Sequence, residues 1–568
     1  MPSLIQFRSF LSNDFFKNQS RIQSRVLENL HCQHADARAY EFCLHPHASH
    51  FLSLHKSSPL PNSFSILKGR TYLLKAANTV SNSGVRNMDG QLHILFLPFP
   101  GLGHMIPMSD MAKVFRARGV RATIVTTPMN EATICGSTRK GVDSESESEI
   151  EIRTIKFPCA EAGLPEGCEN TESIPSPAMV PAFFKATTML QTPFEHLLLH
   201  LQPPPHCIIT SAFFPWATHS AAKLNIPRLV FYGTGAFPLC ASECVRLYQP
   251  QKNVSSDSEP FVIPHLPGQI KMTRMALPDY AKTDDPDSDF ARLVEAIKES
   301  VATSLGVVFN SFYELEQVYA DYYRDILGRE AWFIGPLSLC NEEKDKGKRG
   351  KEASIDQVEI LKWLDSKKPN SVVYVCFGSI ANFSESQLRE IAIGLEASGQ
   401  HFIWVVRRSD KEWIPEGFER RMEGRGMIIR GWAPQVLILE HEAVGGFVTH
   451  CGWNSTLEGV AAGVAMVTWP VSAEQFYNEK FVTELLQTGV PVGAQKWARF
   501  VGDSISSHAL EKAVIRIMVG EEAEGMRIRA HKLARMARIA VQPNGSSYFH
   551  LTALIQHLRS CSVPFPST

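Results

Sequence analysis

A histidine stands directly after a Gly-x-Gly pair in the segment FLPFPGLGHMIP, Phe96 to Pro107. An apolar, strand-like run precedes the glycines and a helix-like pattern follows, the setting in which a glycine-rich turn can cradle a dinucleotide. No third glycine arrives, and the next strand-like run, RATIVTTP, ends without the acidic residue that would hold a ribose. Both absences speak against a nicotinamide-dependent oxidoreductase. The other chemistry open to this loop is proton abstraction, since an imidazole titrates near neutral pH and can accept the proton of an alcohol or phenol. A second constellation lies more than 300 residues downstream, in GGFVTHCGWNSTLEGVAAG. There a strand-like run ends at His450, and a helix-like run opens at Ser455. Helix N-termini attract phosphate because free N–H groups and the helix dipole both favour anions. Ser455 and Glu458 also match the Ser-x-x-Glu capping pattern, which leaves a purely structural reading of both residues open.

The elements that must position these residues alternate along the chain. LHILFLPF reads as a buried parallel strand, and MSDMAKVFRARG as a helix stopped by Gly119. RATIVTTP, EIRTIKFP, HCIITS and RLVFYGT read as strands, with WATHSAAKLNIP as a helix between the last two. The pattern breaks at the charged run Asn341–Asp356, expected to be a solvated linker loop, and restarts as SVVYVCFGS, SESQLREIAIGLEASG and HFIWVVR. Such alternation predicts α/β architecture with two doubly wound domains facing across a cleft, and ligands at the C-terminal ends of the strands.

Bulk properties agree. A chain of 568 residues is too long for one ordinary core. With 44% hydrophobic residues, 20% charged residues and a net charge of −1, it shows no bias toward nucleic acid or an anionic membrane. The apolar run GVAAGVAMVTWPV is too short to span a bilayer and contains Pro470. Twelve scattered cysteines without a Cys-x-x-Cys pair suggest neither a zinc site nor a disulfide framework, and fit a reducing compartment such as the cytoplasm. Residues 1–87 differ: ten Lys and Arg stand against four Asp and Glu, with thirteen serines and no sustained period. They are expected to form a disordered extension, with organelle targeting as the competing reading.

The segment WAPQVLILEHEAVGGFVTHCGWNSTLEGVAAGVAMVTWPVSAEQ, Trp432 to Gln475, resembles the signature box of the plant family 1 UDP-glycosyltransferases. The likeness extends from about Met88 to near the C-terminus. It implies the GT-B architecture of two Rossmann-like domains. Residues 88–340 would bind the acceptor, 341–356 would link, 357–541 would bind the UDP-sugar, and a helix in 542–568 would return to the first domain. Residue by residue, the resemblance implies that Trp432 stacks on uracil, Ala433 reads it through the backbone, and Gln435 and Glu458 hold the ribose. His450, Asn454 and Ser455 would hold the diphosphate with Ser379. Trp453, Glu474 and Gln475 would face the sugar, and the final glutamine favours UDP-glucose. His104 matches the family's general base. With PGLGHMIPMSDMAKVF, the box looks closest to the clade acting on flavonoids, coumarins and triterpenoids.

One position departs from the family. The aspartate that orients the histidine is replaced by Ser211, in ITSAFFPWA. Serine can hydrogen-bond an imidazole but cannot offset the charge of an imidazolium. The expected function is an inverting UDP-glucose-dependent O-glucosyltransferase; the alternative is a UDP-sugar-binding member with weakened catalysis. Neither a metal nor another cofactor is implied. The expected partners are the donor and a small hydrophobic acceptor, met by a monomer.

Overall fold

A strand with an unbroken apolar run must be covered on both faces, and β1 (His93–Leu97), apolar from Ile94 onward, is buried along its whole length. In the computed structural model, which describes residues 91–138, 150–282, 288–341, 346–379, 381, 383–408, 412–499 and 501–561, β1 sits inside a seven-stranded sheet. The other strands of that sheet are β2 (Arg121–Thr126), β3 (Glu151–Thr154), β4 (Cys207–Ser211), β5 (Arg228–Phe231), β8 (Gly306–Phe309) and β9 (Ala331–Phe333). A small antiparallel pair, β6 (Pro260–Val262) with β7 (Lys271–Thr273), lies outside it. The large sheet is parallel throughout, in the order β3-β2-β1-β4-β5-β8-β9.

A second sheet of six strands follows in the order β12-β11-β10-β13-β14-β15. It comprises β10 (Val372–Cys376), β11 (His401–Val406), β12 (Gly426–Arg430), β13 (Val444–Thr449), β14 (Ala465–Thr468) and β15 (Gly489–Pro491). Both sheets reverse their winding once, between β1 and β4 and between β10 and β13. At such a switch point the flanking connections leave in opposite directions and open a crevice beyond the strand ends. Register brings the ends level: Leu97 pairs with Thr210, and Cys376 with Thr449. The sequence reading of two doubly wound domains is therefore met.

Three helices matter to the site. Helix α1 (Leu102–Arg116) follows β1, and Gly119, at φ +75°, turns the chain after it. Helix α2 (Trp453–Ala462) follows β13. Helix α3 (Ser546–Cys561) returns to the first lobe, where Phe333 N–H donates to His550 Nδ1 at 2.9 Å and Ser547 Oγ to the Gly335 carbonyl at 2.6 Å. The expectation for residues 1–87 lies outside the described residues. Among the described residues no helix is long and apolar enough to cross a membrane, and no group of three or more His, Cys, Asp or Glu is placed to hold a metal.

Candidate functional site

His104 is carried by the first turn of α1, just past the end of β1, and its partner comes from the end of the neighbouring strand. Ser211, the last residue of β4, is fully buried, and its Oγ lies 3.2 Å from His104 Nδ1. The same Oγ accepts the Phe213 N–H at 3.2 Å. The imidazole packs edge-on against Phe99, Phe213 and Phe231, with ring centroids 5.8, 5.5 and 5.8 Å away. Gly233, at φ +77°, lies against the ring, and a side chain there would crowd it at about 3.0 Å. Burial lowers the His104 pKa to about 4. No carboxylate raises it, so the ring is neutral at pH 7 and can accept a proton.

Facing it across the cleft is the β10–β13 switch point. Gln435 Nε2 donates to Ser455 Oγ at 3.0 Å and to Glu458 Oε2 at 2.7 Å, joining three of the expected donor residues in one network. Ala433 is buried beside the half-buried Trp432. His450, whose pKa is lowered by burial to about 4, fills the space above Gly378, next to Ser379. Asn454 Nδ2 reaches the other lobe and donates to the Gly103 carbonyl at 2.9 Å. Three polar atoms of this wall, Trp432 Nε1, His450 Nδ1 and Asn454 Oδ1, are buried without a protein partner. Buried polar atoms are normally paired, so these three leave the wall with hydrogen-bonding capacity to spare. The cavity measures about 1610 Å³, above the range of about 300–1,000 Å³ usual for one small ligand, and has room for two substrates.

The structure corrects several expectations. Helix α2 begins at Trp453 with Gly452 as its N-cap, so Ser455 and Glu458 form no capping box; both are bonded by Gln435 instead. The Trp453 indole N–H is committed to the Asn310 carbonyl at 2.7 Å, which leaves its side chain no donor for a sugar. Gln475, expected to face the sugar, carries an amide that can both donate and accept. Its Oε1 already accepts the Val471 and Ser472 N–H groups at 2.8 and 2.9 Å, so the amide NH₂ is what it has left to offer. Glu474 lies in the cavity wall with its pKa raised by burial.

The largest correction concerns the charged run 341–356. Its described residues, 341 and 346–356, are not solvated throughout: the Arg349 side chain is only 8% exposed, and its guanidinium lies between Asp110 of α1, at 2.7 Å, and Glu458 of α2. Burial works against this charge, but the carboxylates of Glu458 and Asp110 outweigh burial and raise the Arg349 pKa. Lys346 pairs with Glu440. A run of mixed charges without apolar period gives no sign of such pairing. Glu172 was also missed. Its Oε1 accepts the Leu102 N–H at 3.2 Å and the Ser379 hydroxyl at 3.0 Å, placing a carboxylate at the tip of the base loop.

Comparison with known proteins identifies the family and the fold. The family model described as UDP-glucoronosyl and UDP-glucosyl transferase matches residues 309–526. The chain is 55% identical over 476 residues to a scopoletin glucosyltransferase of Nicotiana tabacum, covering 83% of this chain and 99% of the relative. It is also 55% identical over 482 residues to the UDP-glucose flavonoid 3-O-glucosyltransferase 7 of Fragaria ananassa, covering 82% and 96%. Among solved structures, Glycyrrhiza uralensis UGT73P12 complexed with glycyrrhetinic acid 3-O-monoglucuronide superposes with a TM-score of 0.77 at 39% identity, covering 83% and 96% of the two chains. Medicago truncatula UGT71G1 complexed with UDP-glucose gives a TM-score of 0.68 at 26% identity, covering 83% and 99%.

Proposed function

The chain belongs to the plant UDP-glycosyltransferase family, and on that premise we propose that it transfers glucose from UDP-glucose to a hydroxyl of a small plant metabolite, inverting the anomeric centre. The observation that carries this reading is the bond from Asn454 to the Gly103 carbonyl, which sets the base loop against the first turn of the donor-lobe helix. A base on one lobe and an anion-binding helix end on the other then face the same space.

In this reading His104 Nδ1–H donates to Ser211, so Nε2 is the basic nitrogen. It takes the acceptor proton as the oxygen attacks the anomeric carbon and the bond to UDP breaks. The charge leaving with UDP is met by the N-terminus of α2 together with His450, Asn454, Ser455 and Ser379. Trp432 stacks on uracil, an interaction worth about 1–3 kcal/mol, while Ala433 contacts the base, Gln435 and Glu458 hold the ribose, and Glu474 and Gln475 hold the sugar. No step calls for a metal.

On the acceptor side Phe99, Phe184, Phe213 and Phe290 line the cavity. Aromatic walls suit a flat or extended apolar acceptor, in keeping with the scopoletin and flavonoid named for two relatives and the triterpenoid conjugate bound by a third. We therefore propose an acceptor of the flavonoid, coumarin or triterpenoid type. The direct test is a mass-spectrometric screen of such hydroxylated compounds with UDP-glucose. A mass gain of one hexose in any of them is expected; failure across the panel, with every UDP-sugar offered, would overturn the reading.

Sugar recognition gives a separate prediction. Gln475→Glu keeps the two N–H bonds that brace Val471 and Ser472 but removes the NH₂ donor. Turnover with UDP-glucose should fall at least about tenfold while UDP affinity stays within about tenfold, or 1.4 kcal/mol. Collapse of UDP binding with normal turnover per bound donor would remove Gln475 from the sugar site.

A further inference from the structure

Arg349 is the least expected side chain in the cleft, and its surroundings are specific. Asp110 is wholly buried and takes three nitrogen donors: Arg349 Nε at 2.7 Å, Asn341 Nδ2 at 3.0 Å and, more loosely, Lys113 Nζ at 3.5 Å. Glu458 is 6% exposed and divides its two oxygens, Oε1 to Arg349 and Oε2 to Gln435. An ionised carboxylate offers about four lone-pair positions, so two remain for a ligand.

The backbone around Arg349 is held at both ends. Gly350 N–H donates to Ser137 Oγ of the first lobe at 3.0 Å. Ser354 N–H donates to the Trp432 carbonyl at 2.9 Å, and Trp432 N–H returns a bond to Ser354 Oγ at 2.8 Å. Gly350 has φ +93°, and a Cβ on it would overlap the Trp432 indole. The strap thus frames the tryptophan on one side and reaches the glutamate on the other.

We propose that Arg349 is a positioning residue for the donor. It fixes the carboxylate of Glu458 so that the free lone pairs meet the ribose diol, and through Asp110 it ties that carboxylate to the acceptor lobe. The proposal rests on the reading of Glu458 as the ribose ligand. A guanidinium suits the task because its planar fork serves two carboxylates at once, whereas an ammonium is a single point of charge. Loss of Arg349 leaves two buried carboxylates without their shared cation, so Glu458 is no longer held toward the ribose.

The test compares UDP with 2′-deoxy-UDP by titration calorimetry on wild-type enzyme, Arg349→Met, Arg349→Lys and Asp110→Asn, with melting temperature recorded for each. Wild-type enzyme should prefer UDP. In Arg349→Met, UDP should weaken by about tenfold or more while 2′-deoxy-UDP changes much less, so the preference collapses. Arg349→Lys should lose part of the preference, and Asp110→Asn, which cuts only the far end of the clasp, a smaller part. If the methionine variant does not fold, the lysine and asparagine variants decide. Equal weakening of both ligands, or an unchanged preference, would reduce Arg349 to a structural role; tighter UDP binding would make it a competitor. Wild-type enzyme that bound neither nucleotide would instead overturn the donor reading itself.

Discussion

His104→Ala is expected to lower turnover by about 10²–10⁴-fold, the usual contribution of a positioned general base. UDP should bind to it as it does to the wild type, because the residues proposed to hold uracil, ribose and phosphate belong to the other lobe. The pH profile gives an independent check. Burial holds the folded-state pKa at about 4, below the ordinary histidine value, and the base works only when neutral. For the free wild-type enzyme, kcat/KM should therefore be level near neutrality and fall as pH drops through about 4. Full activity of His104→Ala, at any pH, would sink the mechanism.

Ser211→Asp should raise turnover. The Ser211 oxygen already lies 3.2 Å from the imidazole, so a carboxylate here is placed to stabilise the imidazolium that forms as the acceptor loses its proton. A charge-assisted hydrogen bond of this kind contributes about 1–3 kcal/mol. Arg228 favours the ionised form of such an aspartate. Its buried guanidinium, with a pKa lowered by burial to about 9, bonds to Thr210, Thr218 and Ser300 and to the carbonyls of Ser211 and Phe214. The gain should be largest for weakly acidic alcohols and smallest for acidic phenols, which part with their proton readily. The sign of the pH effect follows from the same charge: an anion beside His104 raises its pKa, so the acid limb of kcat/KM should move above its wild-type position. Lower activity, or an equal gain across acceptors of different acidity, would mean that the serine enzyme orients its base by other means.

The local elements were legible because their signals are local. A buried parallel strand needs an unbroken apolar run, as in ILFL, and a helix that must turn back needs a residue at ease with positive φ, as at Gly119. The meeting of His104 with position 211 was legible through the likeness to a family, not through periodicity, since 107 positions separate the two. The misreadings share one cause. Ser455 and Glu458 fit a capping pattern, but the helix starts earlier, and Gln435, 20 and 23 positions away, claims both side chains. Arg349 sits in a run without apolar period, and its partners are 239 and 109 positions distant, on different lobes. Apolar periodicity records which face of an element is covered. The pairing of a buried charge depends on which strand ends the two switch points bring together, and that geometry exists only once both sheets have formed and face each other across the cleft.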